Sequence, residues 1–445
     1  MTVDCIPLAV ALTGLLACAM AVGCRPAPPL AIVVSGDTAG WIVPCGCTSN
    51  QSGGLPRRAA YVQALRDRVE TILAEAGGAV HGTSPYDRAK FEAILRGESL
   101  MGVVAHNIGA GEVRLGEDVL RQSAAKFRVP LLSANVRDRF GRLVGQPVRI
   151  ESVAGRRVAL VGVLSERYAT AELQVAPPRQ AVLDALRSMA GRCDATIVLA
   201  YLPEDELYAL AESLPEVDAV VGGPTGQPIA PKRGGPTLLA SATGKGKFLV
   251  RLDAPALGST ERWSGRVVEL DGRFADDPRQ TANVERFRTE LARWDFTPDQ
   301  TGFAPSLPVG LPKGFFVAGG VACQKCHVDD CELWRKSQHA AAWKSLEAKG
   351  THVDPECQRC HTTGYGLPGG FASMRRSPAM VDVGCESCHG PSQGHVADPA
   401  THTAHFGQAR DHCAGCHDRE NSPTFSYDAY WRRIQHGRNV TGDKP

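Results

Sequence analysis

Residues 383–395 read VGCESCHGPSQGH. Cys385 and Cys388 stand three apart, His389 follows at once, and His395 comes six residues later. The same unit occurs four times: CQKCH over 323–327, CQRCH over 357–361, CESCH over 385–389 and CAGCH over 413–417. Two thiols separated by two residues can each form a thioether with a vinyl group of one haem, and the next residue then lies under the iron, where histidine supplies an axial nitrogen. A zinc ribbon, pairing Cys357–Cys360 with Cys385–Cys388, is the rival reading. It gives no reason for a histidine after every pair, so the spacing points to four covalently attached c-type haems. Cys323, Cys326, Cys357, Cys360, Cys385, Cys388, Cys413 and Cys416 are then the thioether residues, and His327, His361, His389 and His417 the proximal ligands. No CxxCK is present, which argues against a lysine-ligated haem.

Each iron has a second axial position. Nine histidines lie outside the motifs, and seven of them fall in the same region: His339, His352, His395, His402, His405, His412 and His436. That enrichment is what bis-histidine ligation needs, although seven candidates for four places leave at least three as ordinary surface residues. A bis-histidine iron transfers electrons and has no open position, whereas an iron lacking its distal ligand can bind a small molecule. Covalent attachment suits an exported protein, and the macrocycles can act as core for a segment with few apolar runs.

Further out, the composition bounds the rest. The chain has 445 residues, 43% of them apolar, and a net charge of +2. That length calls for two or three domains, and that charge argues against nucleic acid as a partner. Residues 1–24 read as an export signal, with an apolar run from Ile6 to Val22 too short for a membrane span. Ala21-Val22-Gly23-Cys24 resembles a bacterial lipobox, which makes Cys24 a candidate lipid anchor and the one expected membrane contact. Against this, MTVDC carries no Lys or Arg, so plain cleavage or an uncleaved anchor stays open. The expected location is the periplasm or cell envelope.

Residues 30–272 carry an α/β pattern. LAIVVSG, VPLLSANV, RVALVGVLS, ATIVLAY and VDAVVGG read as buried strands, with helices expected over 56–68, 88–95 and 180–189. Residues 273–314 hold a helix, with Val284, Phe287, Leu291 and Trp294 on one face, and then the Pro/Gly linker TPDQTGFAPSLPVGLPKG. Residues 315–445 form the mainly α, haem-packed multihaem domain. Cys193 and Cys331 stand alone, Cys193 before a strand and expected to be buried.

CQKCHVDDCELWRKSQHAAAW, CQRCHTTGYG, VGCESCHGPSQGH and CAGCHDRENSPTFSYDAYWRRIQHG resemble the tetrahaem cytochrome family that accepts electrons from hydroxylamine oxidoreductase. The likeness runs over about residues 318–437 and implies distal roles for His339, His395 and His436. For the fourth it leaves His352 first and His412 second, and in that family one haem can be five-coordinate. VVSGDTAGWI, GGLPRRAAYVQAL, LSANV, VALVGVL and GGPTG, in that order, resemble the 5′-nucleotidase branch of the calcineurin-like metallophosphatases, which implies an α-β-β-α sandwich. Such enzymes hold two metal ions with Asp, His and Asn. Here D-x-H falls on Asp37-Thr38-Ala39, G-D on Gly77-Gly78, G-N-H-E on Gly109-Ala110-Gly111-Glu112, the lone His on Tyr201, and G-H-x-H on Gly223-Pro224-Thr225-Gly226. Of the seven ligands only Asp37 remains, so no binuclear centre is expected. His81 and His106 lie off the motif positions and read as surface or core residues.

PCGCTSNQSGG places Cys45 and Cys47 on the loop after the first strand. An exchangeable Cys-x-Cys disulfide, a soft-metal site with Asp37 and an inert structural disulfide all fit. The leading expectation is an exported electron carrier between a redox donor and acceptor, the phosphatase-like domain docking a partner or positioning the cytochrome. A multihaem oxidoreductase acting at a five-coordinate haem or at Cys45/Cys47 is the alternative, and residual hydrolysis the last.

Overall fold

The computed structural model describes residues 28–44, 51–303, 311, 313–403 and 409–436. The export signal with Cys24, the Cys45/Cys47 pair, part of the linker, and His405 lie outside the described residues. The described residues hold two six-stranded sheets. The first runs Ser264–Glu269, Phe248–Asp253, Leu30–Ser35, Glu70–Glu75, Ala105–Asn107, Leu131–Leu132, and the second Ile229–Gly234, Thr237–Ser241, Ala219–Gly223, Ala195–Tyr201, Arg156–Leu164, Val148–Val153.

Leu30–Ser35 shows why the strands read as unbroken apolar runs. It pairs in parallel with Glu70–Glu75 and antiparallel with Phe248–Asp253. Successive side chains point to opposite faces. Leu30, Ile32 and Val34 enter the layer between the sheets, with Leu160, Ile197 and Leu199 from the second sheet. Ala31 and Val33 face the helices, beside Val62, Phe91 and Ile94. On the far side Val161, Val198 and Val220 meet Val182, Leu207 and Leu210. Helix, sheet, sheet, helix is the resulting sandwich, as the sequence predicts.

Helix boundaries follow local chemistry. The helix expected over 88–95 runs Pro85–Met101, because Ser84 and Asp87 form a capping box and Gly102 ends it at φ 72°. Pro278–Trp294 starts at Asp277, whose carboxylate accepts from Arg279 N and Gln280 N. It buries Val284, Phe287 and Leu291, but Trp294 departs from that face and is 43% exposed. The left-handed Asp295 breaks the helix there, and the indole tilts onto Phe296. Cys193 is half-buried, its thiol 3.7 Å from Thr196 Oγ1.

The C-terminal segment is built differently. Its described α-helices are short, Val328–Arg335, Pro355–His361 and Tyr427–Ile434 among them. Its apolar core is Trp343, Leu346, Tyr365 and Phe371. It rests on the α/β unit through Tyr86 and Asp354, Lys90 and Glu356, Asp295 and Ser373, and Lys247 and Glu420. No described helix is long and apolar enough to cross a membrane.

Truncating Ile32, fully buried between the sheets, removes core volume that two rigid layers cannot close. Ile32→Ala should cost about 3 kcal/mol in denaturant unfolding, while Val321→Ala, at an exposed position, should cost little in the haem-free chain.

Candidate functional site

Each Cys-x-x-Cys-His unit is one helical turn. His327 N donates to Cys323 O, His389 N to Cys385 O and His417 N to Cys413 O, and 357–361 closes the Pro355–His361 helix. Residues three and four apart share a helix face, so each turn presents two thiols and an imidazole on one side. None of the eight cysteines is paired in a disulfide. The motifs also meet one another. Cys323 lies beside Cys385 and Cys416 beside Cys360, and the third and fourth motifs meet where His412 Nε2 reaches the Ser387 carbonyl. In space the order is thus 323–327, 385–389, 413–417, 357–361, which differs from chain order. Cys331 is buried beside Cys385.

Three motif histidines face a second imidazole. Ring centroids are 6.1 Å apart for His327 and His395, 6.2 Å for His417 and His339, and 5.8 Å for His389 and His436. A metal bonded at about 2 Å to a nitrogen of each of two imidazoles requires centroids about 6 Å apart, so the separations fit a shared iron. Tautomers fit as well. Nδ1 donates to the Ala342 carbonyl from His361, to Thr401 from His395 and to Ile434 from His436, at 2.7–2.8 Å. His417 Nδ1 lies 3.0 Å from Ser422 Oγ. With Nδ1 engaged, Nε2 is left for a metal. Burial, then the neighbouring His417 and His361, hold His339 below its ordinary value, which favours the neutral ligand form.

His361 differs. Among the described residues no imidazole faces it. His352 stands edge-on to Trp343 at 6.0 Å, with Nδ1 buried and unpartnered. His412 directs Nε2 to the Ser387 carbonyl. The surroundings also fit a bulky apolar group: Val321, Val328 and Leu333 around the first motif are exposed. One organising residue carries no local sequence signature. Glu386, inside the third motif and 2% exposed, accepts from Ala318 N, Gly319 N and Ser392 N at 2.7–2.8 Å, tying the approach to the first motif onto the third.

The phosphatase-like positions are filled by the protein itself. Asp37 Oδ2 accepts from Thr243 Oγ1 at 2.5 Å. At Gly78, φ is +81° and a Cβ would collide with the Tyr201 ring. At Gly111 a Cβ would collide with the Val80 carbonyl. The loops that would carry ligands are packed backbone to backbone, with Tyr201 over them. Glu112 accepts from Gly78 N and Ala79 N. His106, read as surface or core, is fully buried between Glu98 at 2.8 Å and Glu112 at 3.3 Å. Arg58 Nη1 pairs with Glu75 at 3.1 Å, and Nη2 donates to Thr38. Arg58 and His106 thus place cations on protein side chains inside the site.

Both protonation shifts run one way. Burial pushes Glu75 from 4.5 up to about 7 against the Arg58 guanidinium. Burial opposes charge on His106, but Glu98 and Glu112 outweigh it and hold the proton well above 6.5. Each group binds its proton more tightly folded than unfolded, so stability is lost as pH rises through about 4.5–7 for Glu75 and upward from 6.5 for His106. The melting temperature of the full chain should fall from about pH 6 to about pH 8, and Glu75→Gln should flatten the lower part of that slope; a rise over the interval contradicts the reading. Gly78→Asp should cost about 3 kcal/mol in unfolding and confer no metal-dependent phosphoester hydrolysis.

Comparison with known proteins agrees with this division. Residues 322–390 match the family described as cytochrome c554 and c-prime. Cytochrome c-554 of Nitrosomonas europaea is 33% identical over 95 residues, 18% of this chain and 40% of that protein. The chain thus spans less than half the length of that relative. Among solved structures, a 5′-nucleotidase precursor from Thermus thermophilus superposes with TM-score 0.52 at 19% identity, over 60% of both chains. Sulfate thiohydrolase SoxB of the same species gives 0.52 at 18% over 61% of this chain and 62% of its own. The calcineurin-like phosphoesterase YfkN of Bacillus subtilis gives 0.51 at 18%, over 60% of this chain and 98% of its own. At such identities these structures speak to fold alone. The chain therefore joins an α/β unit of calcineurin-like phosphoesterase fold to a C-terminal segment whose residues 322–390 are similar to the cytochrome c554 and c-prime family, a family that implies covalently bound haem.

Proposed function

We propose that this protein is an exported tetrahaem electron carrier whose phosphatase-like unit is structural. The observation that carries the reading is the set of three imidazole pairs at 5.8–6.2 Å, each with one member from a Cys-x-x-Cys-His turn. Cys323/Cys326, Cys357/Cys360, Cys385/Cys388 and Cys413/Cys416 hold one haem each. His327, His361, His389 and His417 are the proximal ligands, and His395, His436 and His339 the distal ligands of the first, third and fourth motifs. Haem iron so held exchanges one electron between its ferric and ferrous states. Contact between successive motifs supports a carrier, because it strings the four attachment turns into one series.

Residues 1–24 serve export to the periplasm or cell envelope, and Cys24 is the candidate lipid anchor. Residues 30–272 are the sandwich, 273–314 the helix and linker, and 315–445 the carrier. Its donor and acceptor are redox proteins. A second reading has one observation in its favour: His361 faces no other imidazole among the described residues, which leaves room for a small substrate at that motif. Hydrolysis is disfavoured, because Tyr201 and the packed 77–80 and 109–112 loops occupy the places of the missing ligands.

Intact mass of the matured chain should exceed that of the polypeptide by four haems, and Cys357→Ala with Cys360→Ala should remove one. Electron paramagnetic resonance should show low-spin haem dominant with one high-spin component that vanishes in the same variant. A chain matured without added porphyrin mass would falsify the carrier; a wholly low-spin spectrum would exclude the small-substrate reading.

A further inference from the structure

The 355–361 helix is the attachment turn held most firmly by the α/β unit. Asp354 caps it, accepting from Glu356 N at 3.0 Å. The same carboxylate accepts from Tyr86 Oη at 2.5 Å, and Tyr86 is fully buried. One turn along its own helix, Lys90 pairs with Glu356. The Lys90 ammonium lies 4.6 Å from the Tyr86 ring, and its side chain is 9% exposed. Phe303 packs on Tyr86 at 5.7 Å and lies under the Arg359 guanidinium at 5.1 Å. Asp295 fixes the loop beyond, accepting from Ser373 Oγ at 2.7 Å and Arg375 N at 3.1 Å. By contrast, the fourth motif meets this unit through Glu420 with Lys245 and Lys247, a pairing 26–38% exposed, where ion pairs contribute little.

We propose that Tyr86 and Lys90 are positioning residues for the second motif: the α/β unit fixes the helix that bears His361 and sets the charge around the haem attached at Cys357 and Cys360. The inference rests on the carrier reading for the presence of that haem and goes beyond it in giving the sandwich a specific task. The charge argument has a sign. Asp354 and Glu356 stand within three residues of Cys357, and Lys90 is the cation that balances them from the other unit. Removing the ammonium leaves excess negative charge by the iron, which favours the ferric state and lowers the midpoint potential. Removing the Tyr86 hydroxyl takes the cross-unit hydrogen bond from the helix cap and frees the turn.

The test uses the full chain matured with haem. Lys90→Met and Tyr86→Phe are compared with wild type by redox titration in the haem absorption bands, with thermal unfolding measured alongside. Lys126→Met, which breaks an exposed pair with Glu92, is the control. In Lys90→Met one midpoint should fall by about tenfold in its reduction equilibrium, ~59 mV for a one-electron couple, while the other three stay and Lys126→Met moves none. Tyr86→Phe should move the same midpoint, and Lys90→Met decides alone should Tyr86→Phe unfold. Four attached haems with unmoved midpoints, or one equal shift in all four, overturn this inference and leave the carrier standing. A peptide mass showing no haem at Cys357 and Cys360 overturns the carrier reading at that motif, and this inference with it.

Discussion

The C-terminal segment cannot hold itself together by apolar burial, and much of the molecule follows from that. Its core is Trp343, Leu346, Tyr365 and Phe371, and its described helices are far below the length at which an isolated helix persists in water. Something else must repay the conformational entropy of ordering these turns. Two sources are visible. The exposed apolar side chains around the attachment turns, such as Val321 and Val328, suit burial by macrocycles. The α/β unit supplies the other, through buried contacts that run from Tyr86 to Asp295.

That unit can act as a support because its own core is large and the loops at its strand ends are packed by protein groups. Losing metal ligands from a buried, acidic pocket would leave carboxylates without counter-charge, a costly state. Here Arg58 sits with Glu75, and His106 between Glu98 and Glu112. These fixed side-chain cations supply the counter-charge that the buried carboxylates need. Tyr201 and the glycine loops at 77–78 and 109–111 close the remaining space, since neither glycine-loop backbone leaves room for a side chain.

What is legible in the sequence tracks how local the determining physics is. Covalent chemistry imposes the Cys-x-x-Cys-His spacing, so the motifs can be read residue by residue. Strands buried on both faces, such as Leu30–Ser35, announce themselves as apolar runs. His339, His395 and His436 come through likeness to known sequences rather than spacing, since His339 meets His417 from 78 positions away in the chain. Contacts of that kind leave no local trace. Tyr86 with Asp354 and Lys90 with Glu356 join residues more than two hundred and fifty apart. Arg58 looks like an ordinary basic residue in GGLPRRA until folding turns it under the first strand. His352 is the natural candidate beside the second motif by proximity in sequence, yet Trp343 takes its ring.

The order of the motifs in space gives these pieces a common logic. The contacts between motifs place 357–361 at one end of the series, after 413–417, although it is second in the chain. In the proposed tetrahaem carrier an interior member of the series has neighbours on both sides and gains from a closed pair of axial imidazoles, a role for which His389 with His436 and His417 with His339 lie close enough. A terminal member is free of one neighbour and can keep an axial side open without interrupting the rest. It also loses the support that a second neighbour would lend. The second motif is terminal, faces no second imidazole among the described residues, and is held by the α/β unit through less exposed contacts than the fourth. A turn with fewer partners of its own kind needs an external scaffold, and the sandwich is placed to provide one.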